Sequence, residues 1–134
     1  MFISKLSTAL ALTALASFAT LARADQPPLV TPLMTKALAD IPGKEVEMLL
    51  IEYPPDGVDP PHRHDAHGFI YVIEGTIIMQ VKGGKRTVVR AGETFYEGPE
   101  DVHLVGQNAS RVLPAKFVAV LVKNAGVPAV LPPQ

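Results

Sequence analysis

Four histidines occur in the chain, all between positions 62 and 103. Three fall in one short stretch, Pro60-Pro61-His62-Arg63-His64-Asp65-Ala66-His67-Gly68. On an extended chain, residues i and i+2 share a face with Cα atoms about 6.5 Å apart. Two imidazoles at that spacing can converge on one cation at about 2.0–2.2 Å, so His62 and His64 read as a ligand pair. His67 lies just past them where the chain turns, close enough to complete the same site or to sit behind it. His103 comes from a later segment and has to be delivered by the fold. A lone histidine is ordinarily a surface residue. Three in so small a window, ahead of an apolar run, make His62 and His64 read as ligands of one divalent transition metal, with His67 either a further ligand or a solvated or supporting residue behind it. Imidazole suits Zn, Cu, Ni and Fe(II) better than Mg or Ca; the residues do not discriminate among Fe(II), Zn, Ni, Cu and Mn.

The segments that must position these rings are short apolar runs divided by turn residues. Glu45 to Tyr53 reads as a strand stopped by Pro54-Pro55-Asp56-Gly57. Phe69 to Ile73 and Thr76 to Lys82 are split by Glu74-Gly75, a turn element. Gly83-Gly84 signals a two-residue hairpin into Arg86 to Arg90. Glu93 to Glu97, Val102 to Gln107 and Ala115 to Lys123 complete the series. Strands at such regular spacing predict an all-β domain, an antiparallel sandwich or small barrel. Ahead of them, Thr31-Pro32 has the form of an N-cap and first helical residue, and Leu33, Met34, Ala37 and Leu38 have helical spacing. The expectation over residues 25–43 is an arm and a short helix, followed by one β domain over 44–134.

Composition narrows the function. Lys and Arg number 12, Asp and Glu 13, and Cys and Trp are absent. Near-balanced charge argues against nucleic-acid binding, and zero Cys excludes thiolate metal sites, disulfides and a cysteine nucleophile. Residues 1–24 read as a signal peptide: Lys5, an apolar stretch from Leu6 to Leu21, then Ala22-Arg23-Ala24. The stretch is near the lower limit for a membrane span and rich in Ala, Ser and Thr. Cleavage after Ala24 would leave 10 basic and 13 acidic residues and a periplasmic or secreted product with no membrane association. Asn108-Ala109-Ser110 fits the pattern of a glycosylation acceptor. Glu97 and Glu100 shortly precede His103 and read as turn carboxylates, with a ligand or base as the lesser alternative. Tyr71, Tyr96 and Gln80 are candidates for lining the barrel.

Gly57-x4-His62-x-His64 with Phe69-Ile70-Tyr71-Val72-Ile73-Glu74-Gly75 resembles the first motif of the cupins. Gly92-Glu93-Thr94-Phe95-Tyr96-Glu97-Gly98-Pro99 with His103 and Asn108 resembles their second. The resemblance spans about Val46 to Lys123. It implies a small antiparallel β-barrel, a double-sheet jelly roll, in which His62, His64 and His103 hold a divalent metal inside. It also implies a small-molecule ligand or substrate and a possible homodimer through sheet edges.

The departures from the family pattern bear on chemistry. The first motif usually carries a Glu ligand three or four residues after its second His, where this chain has Gly68 and Phe69. His67 is the nearest substitute. In the second motif, Gly98 stands where Pro is usual. A site of imidazoles alone leaves the charge of the metal uncompensated and favours anionic or chelating ligands. The expected function is therefore an exported, metal-dependent, dioxygenase-like enzyme on a small chelating substrate. The alternative is a non-catalytic holder of a metal or small ligand, since no evident general acid or base stands beside the histidines. Filler histidines on a purely structural cupin form a third possibility, which their clustering disfavours.

Overall fold

Strand β10 (Ala115–Asn124) sets the layout, because every second residue of it is buried: Ala115, Phe117, Ala119, Leu121 and Lys123. Successive side chains of a strand point to opposite faces, so this alternation defines an inner and an outer surface. A computed structural model describes residues 26–134. The expected signal peptide, 1–24, lies outside them, as does Asp25. The remaining strands are β1 (Leu29–Ala37), β2 (Lys44–Tyr53), β3 (Val58–Asp59), β4 (His62–Arg63), β5 (Ala66–Glu74), β6 (Thr76–Val81), β7 (Thr87–Arg90), β8 (Thr94–Glu97) and β9 (Val102–Asn108).

They form two antiparallel sheets. One has the order β1-β2-β10-β5-β8, the other β3-β9-β6-β7, with β4 also paired to β9. The sheets face each other across a core that includes Ile51, Ile70, Val72, Ile77, Phe117 and Leu121. This is the expected double-sheet, all-β architecture. The turn at Glu74-Gly75 requires its glycine: φ is +75°, and a Cβ there would lie 2.7 Å from the Pro114 carbonyl oxygen. The connection at Gly83-Gly84 is longer than a two-residue hairpin, since β6 ends at Val81 and β7 begins at Thr87.

The short N-terminal helix is not formed. Residues 29–37 are strand β1, registered along β2 from Leu29↔Glu52 to Ala37↔Glu45. The open edge of β2 supplies hydrogen-bond partners for a whole extended strand, and that tertiary pairing outweighs local helical spacing. Pro32 is tolerated because β1 is an edge strand whose register shifts between Pro32 and Met34.

Asn108 is buried, and its side-chain amide donates to the carbonyls of Pro54 and Leu113 at 3.0 and 2.7 Å. It pins two loops at the end of the barrel.

Candidate metal centre

His62 opens at the start of the short strand β4, directly opposite His103 in the β4–β9 register. Pairing on one face of an antiparallel ladder brings opposed side chains within contact, and the two ring centroids are 4.9 Å apart. His64 follows β4, and its ring centroid is 4.7 Å from that of His62. Asp65 then adopts a positive φ of 46°, a conformation that Asp tolerates better than most residues. This turn sends the chain across to β5 in the other sheet. The intervening Arg63 points the other way, as its position between the two histidines requires, and pairs with Asp65 and the C-terminal tail.

The tautomers follow from the backbone. The Nδ1–H of His62 donates to the Pro60 carbonyl at 2.8 Å. The Nδ1–H of His64 donates to the Ala129 carbonyl at 2.5 Å, and the Nε2–H of His103 to the Val105 carbonyl at 2.7 Å. A carbonyl can only accept, so each neutral ring has spent its one proton. What remains on each is a lone pair: Nε2 of His62, Nε2 of His64 and Nδ1 of His103. The side chains form a group whose ligand atoms all lie within 4.8 Å of one another, and which can hold a metal ion.

Glu97, at the end of β8, is 3% exposed and turns its carboxylate into the same space. Its Oε1 is 3.1 Å from His64 Nε2, and its Oε2 is 3.5 Å from His103 Nδ1. Glu97 Oε2 and His103 Nδ1 are buried with no hydrogen-bond partner. Between neutral rings and a carboxylate these contacts are acceptor against acceptor, as is the 3.1 Å approach of His62 Nε2 to His64 Nε2. A cation among them resolves the conflict. Ligands about 2.1 Å from one ion stand roughly 3.0–3.4 Å apart for octahedral or tetrahedral angles, which matches these separations. Where no cation is bound, a proton can take its place: burial opposes ionisation of Glu97, but a protonated His64 donating to it, with the charge of the surrounding imidazoles, holds its carboxyl below the ordinary range. Burial likewise opposes charging of His64, but Glu97 prevails and raises it. His103 is lowered by burial, with His62 adding to the effect.

The cluster forms the polar end of a cavity of about 270 Å³ between the sheets, whose other walls include Leu49, Ile51, Ile70, Met79 and Phe117. Tyr53 is fully buried and donates its hydroxyl to Asp59 at the cavity wall. Burial, with the Asp59 carboxylate second, pushes the Tyr53 hydroxyl far up.

The model of the cupin domain matches residues 49–121, more than half of the chain. The chain belongs to the cupin family. Its fold is similar to that of a Klebsiella pneumoniae protein with a double-stranded β-helix domain, at TM-score 0.62 and 19% identity, covering 81% of this chain and 86% of that one. A Bordetella pertussis cupin domain gives TM-score 0.58 and 17% identity, covering 74% and 96%. These two likenesses speak for the fold alone. An oxalate oxidase crystallised with the substrate analogue glycolate gives TM-score 0.57 and 28% identity; 78% of this chain spans 54% of that longer one. No curated protein matches the chain in sequence.

In this cupin the structure brings His62, His64 and His103 together and leaves His67 out. His67 lies on β5 with its side chain exposed, 2.8 Å from the Tyr96 hydroxyl. The expectation that it completes the cluster is corrected: β5 buries Ala66, Gly68 and Ile70, so by strand alternation residue 67 faces outward. Tyr71 and Tyr96 are likewise exposed and do not line the barrel, and Gln80 donates to the Gly84 carbonyl in a turn. Glu100 is an exposed turn residue as read, but Glu97 is not. A site of imidazoles alone is therefore also corrected, because a buried carboxylate faces two of the rings. Counting two residues on along β8 from Phe95, which packs on the core, puts Glu97 on the inward face, opposite to outward Tyr96.

Proposed function

We propose that this chain is an exported cupin enzyme that uses one divalent transition metal, held by His62, His64 and His103, to oxidise a small chelating substrate with dioxygen. The observation that carries this reading is the set of three lone pairs, each fixed by a backbone carbonyl behind its ring, aimed into one cavity. Such a metal supplies Lewis acidity and, for Fe(II) or Mn, an electron path between substrate and dioxygen. The chain's own residues supply the rest. The cavity of about 270 Å³ lies just below the roughly 300–1,000 Å³ of pockets for drug-sized ligands, so it admits a small molecule. Its apolar walls exclude water and strengthen electrostatic interactions at the polar end. The likeness to an oxalate oxidase bound to glycolate supports a small carboxylate or hydroxy acid as the substrate class. Asp59, beside the Tyr53 hydroxyl, is placed to accept a proton from a ligand in the cavity.

A specific observation favours a second reading, a non-catalytic holder. Apart from the cluster and the Tyr53–Asp59 pair, the described walls of the cavity are apolar, which leaves few groups to direct a reaction. The test is dioxygen consumption by protein loaded in turn with Fe(II), Mn, Cu, Ni and Zn, against oxalate, glycolate, catechols and diketones. Turnover lost in His64→Ala supports the enzyme. Stoichiometric metal binding with no turnover on any of these supports the holder.

A further inference from the structure

We infer that Glu97 is a fourth protein ligand of the metal centre, carried by β8 into a space that Gly68 of β5 leaves open. The inference rests on the proposed metal site and specifies its donor set.

Gly68 and Glu97 are direct partners in the β5–β8 register. Gly68 occupies an inward position of β5, between buried Ala66 and Ile70. A Cβ on it would lie 2.9 Å from Cγ of Glu97 and 3.2 Å from its Oε1. Real Cβ atoms do not approach backbone or packed side-chain atoms that closely, so the Glu97 carboxylate in this position depends on the glycine. The position where the first motif usually carries its carboxylate is thus vacated, and the opposite residue of the neighbouring strand fills the volume with one.

Charge points the same way. A buried carboxylate is costly unless it is paired, and among the described residues no Lys or Arg forms an ion pair with Glu97. Its neighbours are the lone-pair faces of His64 and His103, at 3.1 and 3.5 Å, and its Oε2 has no hydrogen-bond partner. A divalent ion bound through one carboxylate oxygen satisfies the carboxylate and both nitrogens at once. Three imidazoles and one carboxylate lower the net charge of the centre from +2 to +1. They leave a six-coordinate ion two positions, the number that a bidentate substrate needs.

The experiment is a Co(II) titration of the full chain against a chromophoric chelator, with the visible ligand-field spectrum recorded. Wild type, His64→Ala, Glu97→Gln and the transposed double variant Gly68→Glu/Glu97→Ala, which removes the Cγ that a Cβ at position 68 would meet, are compared, each checked for folding by circular dichroism. Expected are one Co(II) per wild-type chain, a loss of more than about 100-fold in affinity for Glu97→Gln, and shifted ligand-field bands. That loss exceeds the about 10- to 100-fold typical of removing a group that only orients a ligand. The double variant recovers affinity to within about tenfold. A folded Glu97→Gln with wild-type affinity and spectrum, alongside a His64→Ala that no longer binds, overturns the inference and leaves the histidine site intact. Failure of wild type to bind overturns both. If Glu97→Gln does not fold, infrared difference spectra of wild type with and without Co(II) decide. A shifted carboxylate stretch absent from His64→Ala supports the ligand, and unshifted bands overturn it.

Discussion

His62 and His103 stand directly opposite each other across the β4–β9 ladder, so the register of a two-residue strand decides whether the metal centre exists. A one-residue slip would turn every side chain of β4 to the other face. The arrangement sets two ring nitrogens and a carboxylate against one another, an opposition relieved by a bound cation or, in its absence, by a proton on His64.

Metal should therefore stabilise the fold measurably. At free metal about 100 times Kd, linkage contributes roughly 2.7 kcal/mol, which for a domain of this size raises Tm by about 10–20 °C. The shift is expected in wild type by calorimetry or dye-based melting and should be reversed by a chelator. It should vanish in His103→Ala, whose metal-free melting temperature stays close to wild type because an acceptor–acceptor contact is removed along with the packing.

Metal binding should weaken in acid. The raised pKa of His64 means that a proton competes for its Nε2 up to a higher pH than for an ordinary imidazole, near 6.5. The lowered pKa of Glu97 keeps its carboxylate ionised over the same range. Apparent affinity is expected to be steady above neutrality and to fall about tenfold per pH unit, per displaced proton, below it. Titration calorimetry in buffers of different ionisation enthalpy reads that proton release.

The C-terminal tail holds the site from outside. Leu131 exchanges backbone hydrogen bonds with Arg63, and the Ala129 carbonyl takes the Nδ1 proton of His64. Deleting residues 127–134 frees that ring to change tautomer. The expected result is a loss of about 10- to 100-fold in metal affinity, with the barrel still folded by circular dichroism.

Away from the site, Lys123 continues the inward row of β10 and is 2% exposed. Its ammonium lies 2.5 Å from Glu45 and 3.2 Å from Glu47 on β2. Lys123→Ala leaves two carboxylates without their cation and should cost about 3 kcal/mol in denaturant unfolding. Burial opposes the charge on Lys123, but Glu45 and Glu47 raise its pKa, while Lys123 and the Gly126 amide lower that of Glu45. A raised lysine stabilises below its unfolded value near 10.5 and loses the contribution as pH rises through the folded value. A depressed glutamate stabilises above about 4.5 and loses the contribution as pH falls. The pair contributes between those limits, so the difference between wild type and Lys123→Ala should narrow at both extremes.

Much of this was legible in the residues. Apolar runs bounded by Gly, Pro and Asp located β2, β5, β6, β8, β9 and β10 within a few residues, because each is a half-buried strand with a period of two. β1 was not legible: Thr31-Pro32 and the spacing of Leu33, Met34 and Ala37 mimic a helix start, and only the open edge of β2 makes the segment extended. In the site, the His62-x-His64 spacing and the second motif named three rings that the fold does bring together. His67 is close to the pair in sequence, but proximity does not fix which face of β5 a residue takes, and it takes the outer one. The role of Glu97 depends on Gly68, its partner in another strand, which no local pattern identifies.

Anomalous diffraction from crystals grown with one metal, collected at its absorption edge, locates the ion itself. A single peak per chain is expected within about 2.0–2.2 Å of His62 Nε2, His64 Nε2 and His103 Nδ1. A fully loaded crystal with no peak there, or with the peak at His67 on the outer face, would contradict a metal held by these three histidines.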